Sequence, residues 1–483
     1  MYKITINKFY GGIANDVFSA DAASYANALG LDDLLQAGRL SPYRSYTSRI
    51  LGATNIRRVV MGSDSTIYAL GEASGASTSM TASYKAAVHD TSWTLSATGT
   101  QAPRSKAFTD YKDHIYAWNL GETNINRYVK KDAVWHNEWQ TIGNGNAGPI
   151  YSHSDGILYT AYGNIIASWD GTTWTAAALT IPAEYQIVDI TDWGQNLVTG
   201  AAWGNGVLST FNPSKSRVFF WDTINTSTYQ MAKNIPEGII IACRNIGEEI
   251  AVIALSVGAD ISQDATLLAY TYNGGQFILR KKIIVQQETN SSGFGFVDQH
   301  IQVKNNQIYF IANVGGVKGV WRFGKNNGVY CLKRDRLLVN AADDTDWEPI
   351  TSTASIGFIG DYLCSITAVG TLACLINANT YSATGIYESA IFGAGKQYES
   401  KNLLSVAIAT KVLPASASVL VRYRVDGTTA WTDIGTHSSG VFSEFADELQ
   451  KDWNQIQFRL ETTGNAEITE FTFLYESMLN IML

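Results

Sequence analysis

Asp155-Gly156-Ile157-Leu158-Tyr159, followed by Trp169-Asp170-Gly171-Thr172-Thr173-Trp174, is the stretch that decides the fold. The first segment is a turn that runs into apolar strand residues. The second is an aromatic strand end, a polar turn and a second aromatic strand, which is a hairpin signature. Both recur. The first returns as Asp64-Ser65-Thr66-Ile67-Tyr68, Asp113-His114-Ile115-Tyr116, Gly194 to Val198, Gly247 to Val252, Asn305 to Tyr309 and Gly360 to Leu363, seven copies in all at spacings of 39 to 57 residues. The second returns as Trp221-Asp222 with Tyr229 beyond, Tyr272-Asn273-Gly274-Gly275-Gln276-Phe277 and Phe323 to Tyr330, at steps of 52, 51 and 51 residues. A repeat of this length with two hairpin signals out of phase matches a four-stranded propeller blade. Pro103, Pro149, Pro182, Pro236 and Pro349 each precede a copy of the first signal. Proline cannot donate to a central ladder, so these residues mark connectors between blades. The expected fold is all-β, a β-propeller of about seven blades; the competing arrangement is a run of generic hairpins in two or three sandwiches.

The repeat assigns residues 58–395 to the propeller and leaves two flanks. In residues 1–57, the N-terminal arm, Met1 to Ile6 alternates like a strand, Gly11-Gly12 breaks it, and Ala20 to Leu35 reads as a short helix. Residues 396–483 read as a C-terminal β-sandwich with period-two strands at Leu403 to Val412, Ser418 to Val425, Trp431 to Ile434, Ile456 to Leu460 and Ile468 to Tyr475. Asp426-Gly427 supplies a hairpin turn. An arm of this size cannot build its own core, so its apolar residues are expected to dock on the sandwich or on a neighbouring subunit.

Charged residues are only 16% of the chain while Trp, Tyr and Phe number 13, 25 and 18. That favours a packed β protein over a disordered one. A net charge of −8 disfavours a duplex-binding protein with a basic face. The short basic clusters, Arg280-Lys281-Lys282 and Lys333-Arg334 with Arg336, are expected to be solvated strand faces. Cys243, Cys331, Cys364 and Cys374 lie in apolar runs without CxxC spacing and read as buried thiols in a reducing compartment. The start lacks a leader-like apolar core and no 18-residue apolar run occurs, so the chain is expected neither to be secreted by the usual route nor to span a membrane.

Motifs for chemistry are sparse. P-loop, HExxH, GxSxG and complete GxGxxG patterns are absent, so no cofactor is expected. His89, His114, His136, His153, His300 and His437 are scattered, and no metal site is assigned to them. Asp343, Asp344, Asp346 and Glu348 form the densest carboxylate group, suited either to a hard cation such as calcium or to a solvated loop before Pro349. Ser168 to Trp174 is similar to the Asp-box turn of sialidase-type propellers, where it is structural, with a spacing that departs by one residue. A glycosidase needs two converging carboxylates, and no catalytic residue is nominated. Trp203 and Trp347 are of the type that stacks on sugar rings or packs hairpins.

Phe9-Tyr10-Gly11-Gly12-Ile13, followed by Asn27, Asp32, Gly38-Arg39-Leu40, Pro42 and Arg44, resembles the opening of many tailed-bacteriophage virion proteins. In the tail nozzle or hub proteins of short-tailed phages such an arm leads into a β-propeller, with a further β domain beside it. Val421 to Gly427, Trp431, Ile456 to Arg459 and Phe473 to Tyr475 resemble the small sandwich that closes many phage tail proteins. The resemblance implies a non-enzymatic structural protein of the virion tail, made and assembled in the host cytoplasm. It implies a homo-oligomer, a hexameric ring under the portal or adaptor and near the tail fibre proteins, that forms a gated channel for genome ejection. DNA would pass without sequence-specific binding, and no membrane insertion is expected. Two other classes stay open: a receptor- or glycan-binding tail fibre or minor tail protein, and a glycan-cleaving propeller enzyme.

Overall fold

The computed structural model describes residues 1–14, 23–32, 38–43, 47–51, 54–72, 82–86, 92–98, 105–119, 123–142, 148–204, 215–225, 228–256, 265–285, 301–314, 317–337, 355–359, 362–366, 371–374, 384–393, 399–446, 449 and 452–478. Among the described residues every extended regular element is a β-strand. Two compact units divide the chain. One comprises Tyr46–Val320 and Leu338–Leu375; the other comprises Met1–Ser45, Trp321–Leu337 and Ile376–Leu483.

The described strands form the seven blades of a β-propeller, which the first unit holds except for the outer part of blade 6. Blade 1 runs Thr54–Met61, Ile67–Glu72, Ala82–Ala86 and Ser92–Thr98; blade 2 runs Ser105–Tyr111, His114–Asn119, Asn124–Val129 and Val134–Thr141. Blade 3 is Ile150–Ser152, Leu158–Tyr162, Ile165–Trp169 and Trp174–Thr180, and blade 4 is Tyr185–Trp193, Asn196–Trp203, Arg217–Trp221 and Met231–Asn234. Blade 5 is Ile239–Asn245, Ile250–Ser256, Ala265–Tyr272 and Ile278–Val285. Blade 6 runs Ile301–Lys304, Gln307–Val314, Val317–Asn326 and Val329–Leu337, of which Trp321–Leu337 is assigned to the other unit. Blade 7 has Ser355–Ile359, Tyr362–Ile366 and Thr371–Cys374. The first strand of each blade neighbours the first strand of the next, and Ser355–Ile359 neighbours Thr54–Met61, so the cycle is closed.

The fourth strand of blade 7 is Thr47–Leu51, brought from the opposite end of the sequence. It pairs antiparallel with Thr371–Cys374, with Thr47 opposite Cys374 and Ile50 opposite Thr371. It also pairs in parallel with the outer strand of blade 1, Ile50 opposite Ser92 and Leu51 opposite Trp93. Blades 7 and 1 thereby become one eight-stranded sheet.

Blades stack face to face, so strands near the axis are buried on both sides and lose alternation. Ile250–Ser256 is buried at every position but its last. Val198, Val218 and Phe220 of blade 4 share a core with Ile240, Cys243, Val252 and Tyr270 of blade 5. At Gly200 the two sheets approach closely: a Cβ there would lie 2.8 Å from Cys243 Cβ and 2.9 Å from Ile240 Cγ2.

The second unit is a β-sandwich into which the arm is woven. One sheet has the order Tyr2–Ile6, Ile468–Met478, Ser400–Thr410 and Phe442–Phe445; the other has Tyr25–Leu29, Thr384–Ser389, Ile456–Thr463, Ser418–Val425 and Thr432–His437. Ser418–Val425 has the expected bounds and turns Val419, Val421 and Tyr423 into the core. Asp426 and Gly427 both adopt positive φ, 49° and 72°, as the hairpin turn needs. The arm contributes Ile6, Phe9, Tyr25, Leu31 and Leu40 to the same core as Trp453, Phe458, Phe471 and Phe473. These five apolar residues of the arm are therefore buried within this chain.

Three expectations are corrected. The helix from Ala20 to Leu35 is replaced, over its described part, by the strands Tyr25–Leu29 and Leu31–Asp32. Pairing with Thr384–Ser389, and the positive φ of 68° at Gly30, outweigh the helix preference of an alanine-rich run. The strands also fall across the expected boundaries of 1–57, 58–395 and 396–483. Thr47–Leu51 joins a blade, and Thr384–Ser389 joins the sandwich through Ile456–Thr463, because pairing partners rather than chain order decide membership. Lys333 and Arg334 are buried instead of solvated. Asp32 of the arm sits 3.4 Å from Lys333 Nζ and 3.2 Å from Arg322 Nη2, Asp335 lies 3.4 Å from Arg322 Nε, and the Arg334 guanidinium stacks 5.0 Å from the Trp321 ring. Burial brings Arg334 down to about 10.

Gly200→Ala is expected to lower unfolding stability by about 1–3 kcal/mol, because the methyl group must force blades 4 and 5 apart. Gly275→Ala, at a position with open space around it, is the control, expected to cost less than about 1 kcal/mol. Denaturant midpoints of the two variants decide it.

Candidate functional site

In an antiparallel meander the turn joining strands one and two and the turn joining strands three and four lie at the same end. Both repeated signals therefore lie on one face of the propeller, the turn face. In two copies of the first signal a carboxylate closes its own turn and then reaches the next strand. Asp155 Oδ1 accepts the Ile157 amide at 2.8 Å while Oδ2 accepts the Tyr159 hydroxyl at 2.9 Å. Asp64 repeats the arrangement with the Thr66 amide at 3.2 Å and the Tyr68 hydroxyl at 2.6 Å. Burial pushes the Asp64 carboxyl up, but the Tyr68 hydroxyl, the Thr66 amide and the Lys130 charge together hold it below the usual value. Burial and the facing carboxylate raise the Tyr68 and Tyr159 phenols well above theirs.

The second signal is built on the same principle. Asp170 Oδ1 accepts the amides of Thr172 and Thr173 at 2.6 and 2.7 Å, and Asp222 Oδ1 accepts those of Ile224 and Asn225 at 3.0 and 3.1 Å. These donors hold both carboxyls below the usual range. Trp169 and Trp174 are cross-strand partners, each packed edge-on to Trp139 of blade 2. The Asp-box-like hairpin is thus a structural turn.

The turns are stitched from blade to blade. Lys130 Nζ lies 2.6 Å from Asp110 Oδ1 and donates to Ser63 Oγ at 3.0 Å, and the Ser63 amide donates to Asp110 Oδ2. The Tyr111 hydroxyl donates to Gly156 O at 2.6 Å, the Lys112 ammonium to Asp170 O at 2.7 Å, and the Tyr151 hydroxyl to Asp192 Oδ1 at 2.7 Å. Between blades 4 and 5, Asp189 accepts the Cys243 amide at 2.7 Å and pairs with Arg244 at 2.9 Å, and Trp193 Nε1 donates to Glu248 O. The linear motifs do not reveal Asp110 and Asp189 as bridging residues. A carboxylate inside the apolar run Ile187-Val188-Asp189-Ile190 is the one available signal, since a buried charge requires a partner.

Asp343, Asp344, Asp346, Trp347 and Glu348 lie outside the described residues, as do His89 and His300. Trp203 is half-buried, edge-on to Tyr185 with the Lys215 ammonium 4.1 Å from its ring. His153 Nδ1 accepts the Asp155 amide at 3.2 Å. His437 is fully buried in the sandwich, its Nε2 2.9 Å from Thr410 Oγ1 and its Nδ1 2.8 Å from Ser443 Oγ, and burial lowers its pKa. Among the described residues no group of three or more His, Cys, Asp or Glu side chains is placed to hold a metal ion.

No family model matches the chain, and no curated protein matches it. Among solved structures it is similar to YCF48 bound to a D1 peptide, at 10% identity over 70% of this chain and 98% of that one, with a TM-score of 0.44. It is also similar to the hydrazine synthase of Kuenenia stuttgartiensis, at 13% identity over 56% and 77% with a TM-score of 0.39. A third likeness is to the exo-β-1,3-galactanase of Phanerochaete chrysosporium, at 11% identity over 89% and 99% with a TM-score of 0.32.

Asp155→Ala and Tyr159→Phe are each expected to cost about 1–2 kcal/mol of stability, with a coupling near 1 kcal/mol in the double-mutant cycle. A coupling of zero would mean that the pair does not cooperate. For His437, the unfolded chain takes up a proton as pH falls through about 6.5 while the buried native imidazole resists it, so stability drops below that pH. His437→Gln should flatten the part of the acid-side slope that His437 contributes, read from urea midpoints across about pH 5–8.

Proposed function

We propose that this chain is a structural protein of a bacteriophage tail, a nozzle or hub subunit that assembles into a ring around the path of the ejected genome. The observation that supports this most is the seating of the segment that carries the resemblance. Gly11 and Gly12 are held where a Cβ would lie 2.7 Å from Ala23 O and 2.8 Å from Leu332 O, and Phe9 beside them is completely buried. The motif is thus a building element of the molecule. The turn-face carboxylates agree with a structural role, because their oxygens are engaged by backbone amides and tyrosine hydroxyls rather than held ready for proton transfer. A chain of net charge −8 gives passing DNA few cations to hold it. The ring is expected to be hexameric, assembled in the host cytoplasm and then carried in the virion against portal or adaptor and fibre proteins.

Negative-stain imaging and light scattering of the purified full-length chain test the reading. A closed ring with an axial channel is the expected result. A slender trimer would replace it with the receptor-binding fibre, and turnover of chromogenic glycosides with the enzyme.

A further inference from the structure

The two sheets of the sandwich have edges that are not built alike. In the five-stranded sheet both edge strands are interrupted where they pair. Tyr25–Leu29 slips register against Thr384–Ser389 between Tyr25 and Asn27, and Thr432–His437 slips against Ser418–Val425 between Val421 and Arg422. Ile13 also bridges to Tyr25 on the first of these edges. Such breaks re-aim the outer backbone groups and hinder the addition of a further strand. In the four-stranded sheet both edges are regular. Tyr2–Ile6 pairs with Tyr475 to Phe471, and Phe442–Phe445 with Ala409 to Val406, without a break and without proline in either edge strand. Among the described residues no second strand pairs with either. The Thr410 amide donates to Val441 O at 3.0 Å, so by alternation the backbone groups of Phe442 and Glu444 point out of the sheet edge.

The side chains along the two regular edges match. Tyr2–Ile6 turns Ile4 and Ile6 to the sandwich core, and Phe442–Phe445 turns Phe445 to the same core. Lys3 and Glu444 alternate with these residues, so both stand on the outer face of the sheet. Both are exposed, and among the described residues neither is in an ion pair. Tyr2 and Phe442 are exposed beside them. Because the sheet holds four antiparallel strands, its two edge strands run in opposite directions. Two copies of the chain in the same orientation can therefore set Phe442–Phe445 of one beside Tyr2–Ile6 of the next. The sheet then runs on antiparallel, with its apolar side still facing inward.

We infer that these two edges are the contact between copies of this chain, Tyr2–Ile6 of one subunit adding as a strand to Phe442–Phe445 of its neighbour. The inference deepens the ring reading and rests on it for closure, because a head-to-tail contact gives a ring when the rotation between copies closes and an open filament when it does not. Pairing either edge with itself is disfavoured, since it brings Lys3 toward Lys3 or Glu444 toward Glu444; the head-to-tail contact brings Lys3 to Glu444. A contact of this length is small. Every subunit of a closed ring makes it twice, so a subunit that loses one contact is still held by the other.

Unlabelled full-length chain is mixed with heavy-nitrogen-labelled chain, co-assembled, treated with a carbodiimide that joins an amine to an adjacent carboxylate, and mapped by mass spectrometry. The expected result is a linked peptide that joins Lys3 to Glu444 and pairs light chain with heavy. Glu444→Lys should raise the concentration at which oligomers form by about three- to tenfold, and adding Lys3→Glu to it should restore assembly. If a variant fails to fold, the linked-peptide map of the unaltered chain still decides. Rings that give no such link and assemble equally well with Glu444→Lys would overturn the inference and leave the ring reading in place. The same link found in open filaments would uphold the inference and remove the ring. A monomer at every concentration, or a dimer joined through two like edges, would overturn it.

Discussion

A ring of sheets made from one chain has a seam, and at the seam backbone N–H and C=O groups must find partners or remain an open edge. Here Thr371–Cys374 would be that edge, and Thr47–Leu51 covers it from the far end of the sequence. The pairing is strongly non-local, so the last blade cannot be completed until both ends of the propeller segment are in place. At the same seam the first strands meet directly, Ser355–Ile359 against Thr54–Met61, which completes the cycle. The parallel contact of Ile50 and Leu51 with Ser92 and Trp93 adds a second attachment at the rim, joining blades 7 and 1 at their outer strands as well as their inner ones.

The sandwich unit solves a related problem with charge. The arm brings Asp32 to a buried group that holds Arg322, Lys333 and Asp335, where desolvation is repaid only by close opposite charges and good geometry. Removing one partner would leave the others buried with their charge uncompensated, so the cluster discriminates strongly against a misplaced arm. Phe9 and Tyr25, both packed edge-on to Tyr387, supply the apolar half of the same seat.

What the sequence discloses follows the range of the interactions. The turn signals are legible because their chemistry is local: Asp155 bonds an amide two residues away and a hydroxyl four residues away, and Asp170 bonds the amides of Thr172 and Thr173. Seven turns followed by apolar residues, at the spacing of a blade, lead to the expectation of about seven blades. Long-range pairing leaves no such trace. Thr47–Leu51 looks like the tail of an arm and Tyr25–Leu29 like helix, since each is a short strand defined by a partner far along the chain. Lys333 and Arg334 read as a solvated face because alternation in an outer blade strand carries no information about what covers it.

The same locality bears on what the turn face presents. Asp170 is exposed and Asp222 half-buried, and each spends one oxygen on two backbone amides, which holds the charge in place and lowers its proton affinity. An exposed carboxylate on a flexible side chain pays entropy when it orders against a partner; one fixed by its own turn has already lost that freedom in folding. The repeated turn therefore does two things with one residue type. It ends a hairpin, and it leaves the second carboxylate oxygen at a fixed point on the surface, as at Asp222, where Oδ2 accepts from Gln230. The copies in blades 5 and 6 have Asn273 and Gly324 at that place, so this fixing of a charged oxygen belongs to Asp170 and Asp222, where the turn settles both the position and the ionised state of the side chain.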